Sequence, residues 1–555
     1  MKRFILLALT TSLVYKTYSQ NNGSITGNVQ SIVQYYTTDT LIGAFAPKEQ
    51  AAMNSFANVN YNNGKFSAGV RFESYLPTLL GYPQRFNGTG IGYRYARYAD
   101  EHVDVTIGSI YEQFGSGMLL RTYEEPQLGL ENQLDGMRVV YRPTNGVTLK
   151  GVYGKQRFNF SDKVEYGPGI VRGFDGEISI NDLIKKFNDS DLKVSLGGSF
   201  VSKYQAASND TLILPENVGA YGGRLNISYK DFYLNSEYVI KENDPSATNS
   251  SLLKYQYIYN QGYGAFINLG YSMKGLGITL QGKSIDNMSF RSDRDALNTD
   301  LFINYLPALT KTHTYNLAAT LYPYATVPYG EVAYQVDVFY KFQKNTLLGG
   351  KYGTMINANY AIAYDINRTI LDDFSAFEGR LGYTSTPFNA NMDSIFFQDF
   401  NVEIKKKIND KLSGNINYFN FVFNPYANPV TKYDGYIYSN IGVIDITYKI
   451  NKKHSIRTEL QGLWTEQDQG NWATGIIEYS ISPHWFFAVL DQYNYGNPDE
   501  HKQLHYLLGS FGYIHNSTRF TIMYGKQRAG IFCIGGICRA VPASNGVTLT
   551  FTTSF

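Results

Sequence analysis

The chain is poor in the residues that usually organise a large soluble protein. Across 555 residues there are two Cys, three Trp and 17 Pro. Charged residues make up 17%, against ~25% in an average soluble domain. The signs balance, with 49 Lys+Arg and 47 Asp+Glu, so there is no global basic field for nucleic acid. Beyond the N-terminus no stretch approaches ~18 consecutive apolar residues, which excludes a transmembrane helix in the mature chain. A mean hydropathy of −0.28 is also too polar for a helical membrane protein. What is abundant is aromatic, with 48 Tyr and 34 Phe, accompanied by 52 Gly. A low-charge, aromatic-rich chain is not intrinsically disordered.

The first twenty residues read as a secretory signal peptide. Lys2 and Arg3 form a positive start, Phe4 to Tyr15 an apolar stretch too short to span a membrane, and Ser19 or Gln20 a cleavage region. The domain reading is therefore a signal peptide at 1–20 and one β-barrel at 21–555. Both cysteines fall late, in Phe532-Cys-Ile-Gly-Gly-Ile-Cys-Arg539. Gly535-Gly536 suits a two-residue hairpin turn, which sets Cys533 opposite Cys538. That pairing predicts a structural disulfide in an oxidising compartment. The C-x4-C spacing is not a redox motif, and no further metal ligands lie nearby.

From residue 24 onward the dominant period is two. Phe66, Ala68, Val70 and Phe72 alternate with Lys65, Ser67, Arg71 and Glu73; Ile456, Thr458, Leu460 and Trp464 alternate with Ser455, Arg457, Glu459 and Gln461. Such alternation marks strands with one apolar and one polar face. After Tyr418 the apolar set switches parity to Phe419, Phe421 and Phe423, which predicts a bulge or a strand end leaving the membrane. One short helix fits 182–187. The segments run ~10–14 residues, longer than strands of soluble sheets, and are linked throughout by turns such as Asn62-Asn-Gly-Lys65. The last strand ends in Phe555, similar to the recognition signal of bacterial outer-membrane barrels. In hydrocarbon only helices and closed barrels satisfy the backbone. The expected fold is all-β, a large antiparallel transmembrane barrel of about 24–26 strands. Its C-terminus is periplasmic, which places the cysteine hairpin at the extracellular end.

Three features bear on function. Tyr153-Gly-Lys-Gln-Arg157 recurs as Tyr524-Gly-Lys-Gln-Arg528. By strand parity Lys155, Arg157, Lys526 and Arg528 fall on the lipid face, where cations beside a Tyr belt suit lipopolysaccharide phosphates; a solvated rim fits equally. Loop 111–136 carries Arg121, Glu124, Glu125, Glu131 and Asp135 around apolar Met118-Leu119-Leu120. It either folds into the lumen as a constriction or is held together by Arg121 pairing with these carboxylates. Arg71, Glu73, Glu237, Arg457 and Glu459 should point into the lumen, either lining a wet channel or interlocking as ion pairs. None of the seven His sits in HExxH spacing and there is no GxSxG, P-loop or dinucleotide fingerprint. No catalytic residue, metal site or cofactor is therefore expected.

The C-terminal third resembles an uncharacterised family of Bacteroidota outer-membrane proteins, known as a domain of unknown function. The carrying residues are 454–464, Gly470-Asn-Trp472, Ile481-Ser-Pro-His-Trp-Phe-Phe487, Tyr493-Asn-Tyr-Gly496 and Tyr524 through Cys538-Arg539 to Val541-Pro542. Leu120-Arg-Thr-Tyr-Glu-Glu125 is similar too. The resemblance implies an outer-membrane barrel and supplies no activity. Two functions fit: a porin-like channel or transport protein, or a non-transporting scaffold barrel of a secretion or assembly complex. Expected partners are outer-membrane lipid, lipopolysaccharide and, for the scaffold, complex subunits. A barrel-embedded hydrolase ranks last. Alternation begins near Ser24, leaving no room for the N-terminal plug domain of a TonB-dependent transporter.

Overall fold

The computed structural model describes residues 23–207, 212–247, 257–371, 382–427, 433–534 and 537–555, without the side chains of 532–539. The expected signal peptide lies outside the described residues.

The alternating segments become 24 strands of one antiparallel sheet. The first six are β1 (Ser24–Tyr36), β2 (Ala51–Asn63), β3 (Phe66–Tyr75), β4 (Gly88–Ala99), β5 (Val103–Ile110) and β6 (Leu134–Tyr141). Next come β7 (Val147–Phe160), β8 (Val164–Ser179), β9 (Leu192–Tyr204), β10 (Asn217–Tyr229), β11 (Phe232–Lys241) and β12 (Gly262–Met273). Then follow β13 (Leu276–Asp286), β14 (Gly330–Phe342), β15 (Thr354–Ile370), β16 (Tyr383–Lys407), β17 (Leu412–Phe423) and β18 (Ile437–Lys449). The last are β19 (His454–Trp464), β20 (Trp472–Ile481), β21 (Trp485–Tyr493), β22 (His505–His515), β23 (Thr518–Gln527) and β24 (Ser544–Ser554).

Each strand pairs with its neighbour in sequence, and β24 pairs back onto β1 from Asn28↔Ser554 to Tyr36↔Gly546. The barrel is closed and leaves no unpaired edge along that joint. Its outward positions are apolar and exposed, as at Leu460 and Trp464 on β19, while Glu459 and Gln461 on either side of Leu460 are buried inside. Most odd-numbered strands lead into long connections, such as 111–133, 242–261 and 287–329, and most even-numbered strands into short ones, such as 64–65, 274–275 and 516–517; 161–163, 180–191 and 343–353 are the exceptions. Ser24 and Phe555 both lie at the short-turn end. The expected helix appears there as Ile180–Leu183 with a 3-10 turn at Lys185–Phe187.

The parity switch after Tyr418 is not a bulge. β17 keeps an unbroken register with both β16 and β18. Phe419, Phe421 and Phe423 occupy ordinary inward positions and are buried against Phe397, Leu317 and Tyr322. The inner face turns apolar because residues 309–327 fill the barrel at that height. A second apolar cluster fills the barrel beside β6–β13.

Candidate functional site

The interior is where the chain concentrates its unusual chemistry. Loop 111–133 leaves the top of β5 and folds into the lumen in two short hairpins, Gln113–Phe114 against Leu120–Arg121 and Glu124–Glu125 against Leu130–Glu131. Phe114, Met118, Leu119 and Leu120 are wholly buried against Val152, Val171 and Val239 of the wall and against Met288, Phe290 and Ile303 of the 287–329 segment. On β11, Glu237 accepts the Ser116 backbone N–H at 2.7 Å and so ties the loop tip to the wall.

The acidic residues of this loop meet the wall's arginines. Glu73 receives Arg157 through two hydrogen bonds at 2.9 and 2.7 Å and Arg71 Nε at 2.7 Å. The other two guanidinium nitrogens of Arg71 reach Glu124 and Glu131. The Tyr111 hydroxyl donates to Glu131 at 2.9 Å. Burial pushes the Glu131 carboxyl above the usual range, opposed by Arg71 and Arg157. Arg121 does not hold the carboxylates, contrary to that expectation. Its guanidinium lies between the rings of Tyr123 and Tyr305, at 4.4 and 4.1 Å from their centroids. Wall arginines outcompete it because they are already desolvated beside Glu73. Glu125 stays at the loop surface, accepting only from the Gln127 N–H among the described residues.

The second insertion, 287–329, contains a one-turn helix, α1 (Asn316–Thr320). Wall side chains fix it in place. Gln461 accepts the Leu317 N–H at 3.0 Å, Gln492 donates to Asn316 at 2.6 Å, and Asp399 meets His313 at 2.7 Å. A buried Lys283–Glu331 pair at 2.7 Å anchors the segment's base, with Lys283 also donating to the Pro307 carbonyl. Two cavities flank α1 and share Asn316. One, of about 490 Å3, lies between Gln30, Gln34, Gln492 and Thr548 of the wall and the 528–543 connection. The other, of about 450 Å3, is lined by Glu403, Lys405, Asp445, Arg457 and Glu459. Arg457 bridges Asp445 and Glu478 at 3.0 and 2.9 Å. All five strand residues expected to face inward do so; Arg71 pairs with Glu73, Glu237 holds the loop tip, and Arg457 and Glu459 pair with each other at the edge of a cavity.

The four cations expected on the lipid face divide. Lys155 is outward and exposed. Arg157 is buried inside, because a register shift between Lys155 and Arg157 breaks the alternation. Arg528 lies one residue beyond β23, turns inward over Trp472 and bonds Thr320. Lys526 pairs with Asp39 at 2.7 Å. The cysteine hairpin forms with Cys533 opposite Cys538, and its flanks, Gly530, Ile531 and Val541, roof the larger cavity. Its Gly535-Gly536 turn and its cysteine side chains lie outside the described residues.

A family model described as "Family of unknown function (DUF6029)" matches residues 1–555. No curated protein matches the sequence. Among solved structures, the copper transporter OprC is 10% identical with a TM-score of 0.39, over 97% of this chain and 81% of that one. The outer membrane protein opdK from Pseudomonas aeruginosa is 10% identical with a TM-score of 0.35, over 84% and 99%. The P pilus usher PapC translocation pore is 7% identical with a TM-score of 0.34, over 96% and 99%. Values this low speak to no substrate or activity.

Proposed function

We propose that this chain, which belongs to the DUF6029 family of unknown function, is a transport barrel of a Bacteroidota-type outer membrane whose lumen is narrowed by its own loops. The supporting observation is the pair of cavities on either side of α1, one of them lined by charged side chains. A lumen that served only as filler would bury apolar groups there. Here Glu403, Lys405, Asp445, Arg457 and Glu459 are held around open space instead. A charged patch of this kind, with three carboxylates against two cations, biases passage by sign. No catalytic step is part of this reading.

Planar-bilayer recording of the full chain tests it. A small steady conductance is expected, with cation preference reduced by Glu403→Gln together with Glu459→Gln. A second reading, the non-transporting scaffold, is favoured by the apolar packing of Phe114, Met118, Leu119 and Leu120 across the lumen. A silent barrel that co-purifies with a defined partner would replace the first reading by the second.

A further inference from the structure

The barrel wall is not closed by strand pairing everywhere. β4 and β5 share only five residue pairs, from Tyr95↔Gly108 to Ala99↔Asp104. Above them β4 continues from Arg94 to Gly88, paired with β3 on one side and with no strand on the other among the described residues. The ladder stops at Gly108, which takes φ 104 and whose Cβ would meet the Arg94 carbonyl at 2.4 Å. Beyond that point no ladder closes the gap; the backbone of Ser161 and Asp162 packs against Gly88 and Gly90, and side chains reach Gly92. The Gly92 carbonyl accepts from Gln133 Nε2 at 2.8 Å and from Arg157 Nη1 at 3.2 Å.

The depth of this seam follows from strand length. β5 and β6 have eight residues each. At ~3.4 Å per residue and ~40° of tilt they rise only ~20 Å, less than the ~25 Å apolar band of such barrels. The seam is at the long-loop end, so it faces the outer leaflet. A groove of about 700 Å3 lies against its outer side, lined by Val59, Val70, Ala96 and Ile107, with Gly108 and Gly136 as its floor.

Charge marks one end of the groove. Arg94 and Asp135 form an ion pair at 3.0 Å between β4 and β6. Lys155 sits directly opposite Asp135 in the β6–β7 register and is exposed. Among the described residues it has no carboxylate of its own. Two cations therefore flank one carboxylate, leaving one positive charge in surplus beside an apolar groove at membrane depth. Anionic oxygens of a phosphate complement that arrangement, and an acyl chain complements the groove.

We infer that this seam holds one phosphate-bearing, acylated glycolipid of the lipid A type, its phosphate on the exposed side of Lys155 and Arg94, away from Asp135, and a chain along Ala96 and Ile107. The inference rests on the outer-membrane reading but not on conduction. Native mass spectrometry of the detergent-purified full chain, with diphosphoryl lipid A, phosphatidylglycerol or phosphatidylethanolamine added, tests it independently of any conductance. The wild type should retain a single lipid A. Arg94→Gln with Lys155→Gln should lower retention about tenfold, and Ala96→Trp, which fills the groove without changing charge, should do likewise. Lys155→Gln alone serves if the double variant fails to fold. Equal retention by wild type and variants, or phosphatidylglycerol or phosphatidylethanolamine held as well as lipid A, overturns the inference and leaves ordinary boundary lipid.

Discussion

Gly525 and Gly546 face each other between β23 and β24, both at φ 144. A Cβ on Gly525 would meet the Leu507 carbonyl at 2.2 Å, and one on Gly546 the Tyr35 carbonyl at 1.9 Å. Gly154 faces Gly136 in the other copy of the pentapeptide. The repeat thus marks two places where the wall needs glycine and where the arginine three residues on turns inward. Parity alone cannot foresee that turn, since it assumes an unbroken pleat. Arg157 and Glu73 are both wholly buried. Breaking such a pair costs ~3–5 kcal/mol, whereas replacing both partners by apolar groups is often near neutral. Arg157→Ala should therefore lower the temperature at which the compact electrophoretic form is lost, and Arg157→Leu with Glu73→Leu should recover part of the loss, because Arg71 loses Glu73 but keeps Glu124 and Glu131. A double variant no more stable than Arg157→Ala would refute this. At the long-loop end, Lys526 holds the Asp39 carboxyl below the ordinary value. A depressed carboxyl stabilises above its unfolded pKa, ~3.9, and that contribution is lost as pH falls through the folded value. Proteolysis of connection 37–50 should stay slow from pH 8 to 5 and rise only in stronger acid. Asp39→Asn should be cleaved faster at neutral pH, with no further acid step from this pair.

At the scale of elements, the period-two signal located the strands well because each presents one face to lipid. It failed on β17, where Phe419, Phe421 and Phe423 lie inward. The polar-inside rule holds only where water fills the lumen, and α1 with its flanking residues displaces water there. Nothing in the sequence of β17 itself tells lipid from plug. The cysteine hairpin was legible in backbone terms, since Cys533 and Cys538 pair in register. Directly opposed positions lie within disulfide reach. Non-reducing mass spectrometry of exported protein should find the two linked; free thiols in that material would exclude the clip.

For the whole molecule, closure rests on the joint between β1 and β24. The Phe555 N–H and carbonyl each bond Gly27 at 2.9 Å, extending the ladder to the last residue. Phe555→Ala should lower the folded fraction recovered from outer membranes while leaving the melting behaviour of the folded fraction little changed. An unchanged yield would separate this terminus from assembly. The exposed apolar belt outside and the many buried polar side chains inside also explain how a membrane barrel keeps a negative mean hydropathy, since the two faces cancel.

The sequence by itself determined the barrel: alternation is a local property, and a chain of such strands without transmembrane helices has one architecture open to it in lipid. It also placed the long loops on one end and the acidic loop at the lumen's mouth. Only the tertiary structure decided which arginines turn inward, that Arg71 rather than Arg121 receives the loop's carboxylates, and that two insertions fill the interior. Those outcomes depend on which distant segments share the same desolvated space, and no local pattern records that.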